Sequence, residues 1–349
     1  MKLPSLSALI PALLAAATPA ALHAWGEQGH DIVNQIALAS LPADFPAWIH
    51  QPANTGRIVF LAGEPDRWRS SKDEIMEHAT TPDHHFDIEE IADAGLDLDA
   101  ISEYRYEFAV QFAAARAAHE ASFRPIDPKY NADQTGRFPG FLPWAIVEDY
   151  GKLRISFSIL KTYEKYGTAE EVANARADLV DLMGLMGHFV GDGSQPLHVS
   201  KYFYGWTGPN PQGFVNRGGW HAWIDSGFIA KAGITFAEFQ PRVQPAVPVS
   251  VAPRPDGRDP VFAAVLDYLA ATNQQVVPLY QLEKDGPLRM NGPPTAEGRA
   301  FIDADLLRAG EMLGSLWLTA WRQAGPDYYL RSDLVRRNAA AHATVQPMP

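Results

Sequence analysis

The chain has 349 residues, no cysteine and a formal net charge of −12. Disulfide stapling is therefore excluded, so core packing and bound metal are left to hold the fold. The acidic balance argues against the broad basic face with which proteins grip duplex nucleic acid non-specifically, and any polyanion has to be attracted locally.

Residues 1–24 read as a secretory signal. Lys2 is followed by a run from Leu3 to Ala17 that is apolar apart from two serines and two prolines, then by mostly small residues ending at Ala24. Pro4, Pro11 and Pro19 would interrupt a buried helix there, and the apolar run is too short to span a bilayer. The expectation is export to the periplasm or beyond, with no stable membrane insertion and a mature chain that starts at Trp25. Roughly 325 residues then remain, which one large domain can accommodate.

Apolar residues recur at three- and four-residue spacing along most of the chain, as at Ile32, Ile36 and Ala39. The pattern predicts further helices near Ile101–Ser122, Pro143–Tyr166, Glu170–Val190, Trp220–Lys231, Pro260–Leu282 and Thr295–Ala324, while strand-like alternation is scarce. Tyr204–Gly219 and Gln240–Pro260, rich in Gly and Pro, read as surface excursions. The expected fold class is all-α, one large helical domain over residues 25–336, with 337–349 a disordered tail.

The densest chemical signal is the stretch Gly187-His188-Phe189-Val190-Gly191-Asp192-Gly193-Ser194-Gln195-Pro196-Leu197-His198. His188 and Asp192, four apart at the end of a predicted helix, fall on one face and can share a metal. Pro196 ends the helix and lets His198 approach from another direction. His221 and Asp225 repeat the four-residue spacing. One such pair is ordinarily a cap or an ion pair, but two pairs together with His198 favour a metal site. Imidazole with carboxylate suits zinc, and no thiolate is available. At the mature start, Trp25 and His30 would place a free amine, a carbonyl and an imidazole within six residues of one another, a further chelating set.

These motifs resemble the trinuclear-zinc superfamily of bacterial phospholipase C and the fungal and plant single-strand nucleases of the P-one and S-one type. The likeness covers the mature N-terminus, the region from Asp66 to Phe86, His188–His198 and His221–Asp225, in the family's order. It implies the all-α fold of that family and three zinc ions per chain. Asp66, His85, His188 and Asp192 would hold one; Trp25, His30 and a shared Asp192 its close neighbour; His198, His221 and Asp225 the third. The Asp-x-x-Arg element matches Asp66-Arg67-Trp68-Arg69, which makes Asp66 a ligand and Arg69 the residue that neutralises transition-state charge. The family's chemistry is attack by a zinc-generated hydroxide on phosphorus, with 5′-phosphate products.

The short Trp-Gly-x-x-Gly-His start and the closing Asp225 favour the nuclease branch over the lipase branch. That implies single-stranded DNA or RNA, and nucleotide 3′-phosphates, as substrates, with no protein partner. The alternatives are a phospholipase C-like phosphodiesterase and a non-catalytic exported zinc-binding protein. His85 is preferred to His84 as the ligand because it adjoins Phe86, which occupies the place where the family stacks a nucleobase. The nuclease pattern has an acid three positions after its zinc histidine; counted from His85 that is Ile88, with Asp87 one place early. Tyr202, Phe203, Tyr204 and Trp206 are candidates for a stacking surface, Tyr202 foremost, whereas Trp220 and Trp223 fit core packing at least as well.

Overall fold

In the computed structural model, residues 25–345 can be described; the signal expected over 1–24 lies outside them. Helix signals in the sequence account for most of the architecture. The first helix, α1 (Glu27–Ser40), begins two residues after Trp25. After it come α2 (Pro52–Leu61), the short α3 (Glu64–Arg69) and α4 (Glu74–Thr80), α5 (Ile88–Asp93) and α6 (Arg105–Ala118). Two long helices form the centre: α7 (Leu142–Tyr166), with Pro143 in its first turn, and α8 (Ala169–Asp192). A capping box starts α8, with the Thr168 side chain on the Glu171 amide and the Glu171 side chain on the Thr168 amide.

The third long helix comes late in the chain. A short α9 (Trp220–Ala222) runs into a π-turn over Trp223–Gly227 and then α10 (Phe228–Ala232) and α11 (Phe236–Phe239). The helix expected over Pro260–Leu282 is two, α12 (Pro260–Asn273) and α13 (Val276–Asp285). The break falls at Gln274–Gln275, where the apolar periodicity pauses. α14 (Ala296–Gln323) and α15 (Tyr328–Val345) complete the chain. The excursions at Tyr204–Gly219 and Gln240–Pro260 are irregular apart from one short turn, Gln240–Arg242. Among the described residues there is no strand, and no helix is long and apolar enough to cross a membrane.

The expected disordered tail is corrected over most of its length. Residues 337–345 continue α15, because Arg337 pairs with Glu171 and Asn338 Nδ2 donates to the Tyr166 carbonyl, which docks the helix on the α7–α8 turn.

The core lies between α1, α7, α8, α12 and α14 and includes the fully buried Trp25, Trp144, Trp220 and Trp317. Glycines set how closely the helices approach. On α8, Gly184, Gly187 and Gly191 share one face, and a Cβ on them would stand 2.6 Å from Leu61 Cβ, 1.8 Å from Asn34 Oδ1 and 2.7 Å from His30 Nδ1 respectively. Small residues there let α1 and α2 lie directly on α8. On α14, Gly310 and Gly314 do the same for Ile36 and Ser40 of α1. α1 is thus clamped between two helices, and its His30 is carried to the end of α8.

Candidate metal centre

Three groups of buried metal-ligating side chains converge where α8 ends: His30, His188 and Asp192; Asp66, His84 and His188; and His198, His221 and Asp225. Asp192 and His188, one helical turn apart, bridge the first two. Asp192 Oδ1 lies 3.5 Å from His30 Nε2, and Oδ2 lies 3.1 Å from His84 Nδ1 and 3.4 Å from His188 Nε2. Asp66 Oδ1, from α3, stands 3.8 Å from His84 Nδ1 and 3.9 Å from His188 Nε2. In the third group His221 Nε2 is 2.9 Å from His198 Nε2 and 3.2 Å from Asp225 Oδ2.

Backbone contacts fix which ring nitrogens are free to ligate. His188 Nδ1 donates to the Ala62 carbonyl at 2.7 Å, so its Nε2 carries a lone pair toward the cluster. His198 Nδ1 donates to the His84 carbonyl at 2.7 Å and likewise presents Nε2. The π-turn places His221 and Asp225 side by side, and π-turns concentrate at functional sites.

Lone pairs and carboxylates this crowded could hold a shared cation. His30 Nδ1 and Nε2, His84 Nε2, Asp192 Oδ1, His221 Nδ1 and Asp225 Oδ2 are buried without a hydrogen-bond partner, a costly state for polar groups in a low dielectric. Burial holds His30, His84 and His221 well below the usual imidazole range and His198 down to about 3, and it pushes Asp192 and Asp225 well up. Neutral imidazole is the form that ligates, and a divalent cation would draw the protons off both carboxyls. The residues present therefore fit metal ions, with no thiolate among the donors.

The structure corrects one ligand and two substrate contacts. His84, not His85, enters the cluster. His85, the first residue after the turn Thr81–His84, lines the neighbouring cavity, where burial and Arg69 hold its pKa down to about 4. Phe86 is wholly buried in an aromatic core against Phe108 and Trp144, so it cannot receive a base. Tyr202 stacks on Trp206 at 4.2 Å and is not among the residues lining that cavity; its neighbours Phe203 and Tyr204 are. Trp220 and Trp223 are core residues.

No family model matches the chain, and no curated protein matches its sequence. The site has to be read from its own geometry. A cavity of about 310 Å³ opens beside the candidate metal groups, lined by Arg69, His84, His198 and His221 and also by His85, Asp87 and Phe138. Arg69 Nη2 donates to Asp66 Oδ1 at 2.7 Å, which aims the guanidinium along the metal groups. Asp87 lines the cavity with its Oδ1 buried and unpartnered, and burial raises its pKa well above the carboxylate range.

Trp25 is fully buried, and its indole Nε1 donates to Ser194 Oγ at 2.9 Å, while Gly26 N donates to the Asp225 carbonyl at 2.9 Å. The start of the described chain is thus tied to Ser194, just after α8, and to Asp225 of the third group. Gln195 escaped the sequence reading although it stands three residues before His198; its Nε2 donates to Asp225 Oδ1 at 2.5 Å.

Proposed function

We propose that the chain is an exported, zinc-dependent phosphodiester hydrolase of the nuclease type, acting on single-stranded nucleic acid and on nucleotide 3′-phosphates. The observation that carries this reading is a set of three buried imidazole–carboxylate groups, two of which, through His84, His198 and His221, line one cavity with an arginine. Imidazole and carboxylate without thiolate suit zinc in catalytic rather than closed structural sites. Trp25, His30 and a shared Asp192 would hold one ion, Asp66, His84, His188 and the same Asp192 its neighbour, and His198, His221 and Asp225 a third. Zinc in such a site supplies a nucleophile from water at neutral pH and polarises phosphoryl oxygens.

The chain's own residues account for the rest of the chemistry. Asp66 anchors Arg69 so that the guanidinium faces the substrate's phosphate, where it neutralises charge gathering on the non-bridging oxygens. The second group contributes with His84 as ligand, and this choice also supports the nuclease branch: counted from His84, the acid three positions on is Asp87. Asp87 then reads a base by hydrogen bonding, and His85, adjoining it in the cavity, offers the flat face that Phe86 does not. Export belongs to the same reading, because removal of residues 1–24 would free the Trp25 amine, next in the chain to the Gly26 N that donates to the Asp225 carbonyl.

The test is metal content together with cleavage of heat-denatured DNA, on protein recovered after export with its first residue identified. Near three zinc per chain, a Trp25 start and chelator-sensitive cleavage are expected. Zinc with hydrolysis of phosphatidylcholine micelles but not DNA would replace the nuclease with a lipase. Zinc with neither activity would leave a binding protein, and absence of zinc would overturn the assignment.

A further inference from the structure

We infer that Gln195 is a positioning residue that holds Asp225 for the third metal group and joins that group to the other two. The inference rests on the metal reading above and adds a residue that is not itself a ligand.

Gln195 is fully buried, and each of its hydrogen-bonding groups engages a ligand-bearing segment. Its backbone N donates to the Asp192 carbonyl at 3.0 Å, and its own carbonyl accepts from His198 N at 2.9 Å. Its side-chain Oε1 accepts from Leu197 N at 2.6 Å, and Nε2 donates to Asp225 Oδ1 at 2.5 Å. The amide orientation is determined, because a backbone N–H can only donate; Oε1 must face Leu197, which leaves Nε2 for the carboxylate.

Two consequences follow for the third group. Left alone, the Asp225 carboxylate could turn about its side chain and present either oxygen. With Oδ1 held by Gln195, Oδ2 is the oxygen 3.2 Å from His221 Nε2, and it is the one left buried without a hydrogen-bond partner. The same side chain caps the turn over Pro196–Val199 that carries His198. One amide thus sets the distance between a ligand on the π-turn and a ligand on the turn after α8. Partners of this kind typically govern metal affinity ~10–100-fold.

The variants are Gln195→Met, which keeps length but loses both side-chain bonds, and Gln195→Glu, which keeps the acceptor for Leu197 and replaces the amide donor by a second carboxyl against Asp225. The measurement is zinc retained per chain after dialysis against buffered free zinc, on full-length processed protein, with far-UV circular dichroism to confirm folding. Both variants are expected to weaken one ion ~10–100-fold and leave the other two at wild-type affinity. The pairing with His221→Ala identifies which ion it is: Gln195→Glu combined with His221→Ala should hold as many ions as His221→Ala alone.

Retention of every ion at wild-type affinity by a folded Gln195→Glu overturns the inference, as does loss of a further ion in the double variant. A wild-type protein that binds no zinc is a different failure, because it removes the metal reading itself.

Discussion

His84 Nδ1 and His188 Nε2 lie 2.8 Å apart, the closest approach of two ring nitrogens in the centre. Because His188 Nδ1 is committed to the Ala62 carbonyl, the contact places a lone pair of one ring against the nitrogen of the other. A cation between them, with Asp66 and Asp192 completing its donors, relieves that arrangement. His84→Ala should therefore lose bound zinc and lower turnover at least ~10²-fold, whereas His85→Ala should keep all its zinc and raise KM. Metal analysis and steady-state kinetics on the two neighbouring variants decide it; loss of zinc in His85→Ala alone would reverse the assignment.

Arg69 is separable from metal binding. Arg69→Ala leaves the imidazoles and carboxylates in place, so zinc content should hold while kcat falls ~10²–10³-fold, the range for losing one donor to transition-state charge. Arg69→Lys restores charge but not the fork that spans Asp66 and a phosphate, and should recover only part of the rate. Full activity in Arg69→Ala would remove its role.

Gly191 tests how the helices place ligands. A Cβ there would stand 2.7 Å from His30 Nδ1, so Gly191→Ala must push α1 off α8 or turn the His30 ring. The expected cost is ~1–3 kcal/mol of stability, as for other overpacked cores, together with weakened metal binding. Thermal unfolding with and without zinc measures both, and an unchanged protein would show that α1 has room to retreat.

Asp305 predicts a pH dependence away from the metal groups. Burial raises its pKa to about 7 despite Arg308, whose Nη2 donates to Oδ1 at 2.6 Å. The folded chain then keeps a proton that the unfolded chain, with a carboxyl near ~4, has lost. Stability from this residue is present at low pH and drains away as pH rises from ~4 to about 7, with no further change above. Asp305→Asn removes the proton equilibrium, so its advantage over wild type in urea midpoint should grow across that window. A difference that stays constant from pH 4 to 8 would show that Asp305 is ionised throughout.

The helices were legible because their signals are local: periodicity, a proline in the first turn of α7, and a Thr–Glu pair opening α8. His188 and Asp192, and likewise His221 and Asp225, were legible for the same reason, since four-residue spacing on a helix fixes a shared face. The choice between His84 and His85 was not, because His84 ends a short turn and His85 begins extended backbone, and spacing does not say which of the two faces the candidate metal groups. Phe86 follows from the same one-residue register: with His84 turned inward to the cluster, the residue after next enters the core. The Gln195 contact to Asp225 joins residues thirty apart in sequence and depends on where the π-turn comes to rest. The docking of Arg337 and Asn338 was hidden by an alanine-rich composition that resembles a tail.

The clamp on α1 bears on which parts of the chain the centre depends on. His30 is supplied by the first helix, yet that helix is seated by Gly310 and Gly314 of α14, near the other end of the chain. Without residues 296–323 the helix would keep its contact with α8 but lose the one that seats Ile36 and Ser40, so half of the clamp that carries His30 would be missing. The seat of a candidate ligand on the first helix is thus set in part by residues some 280 positions further along the chain.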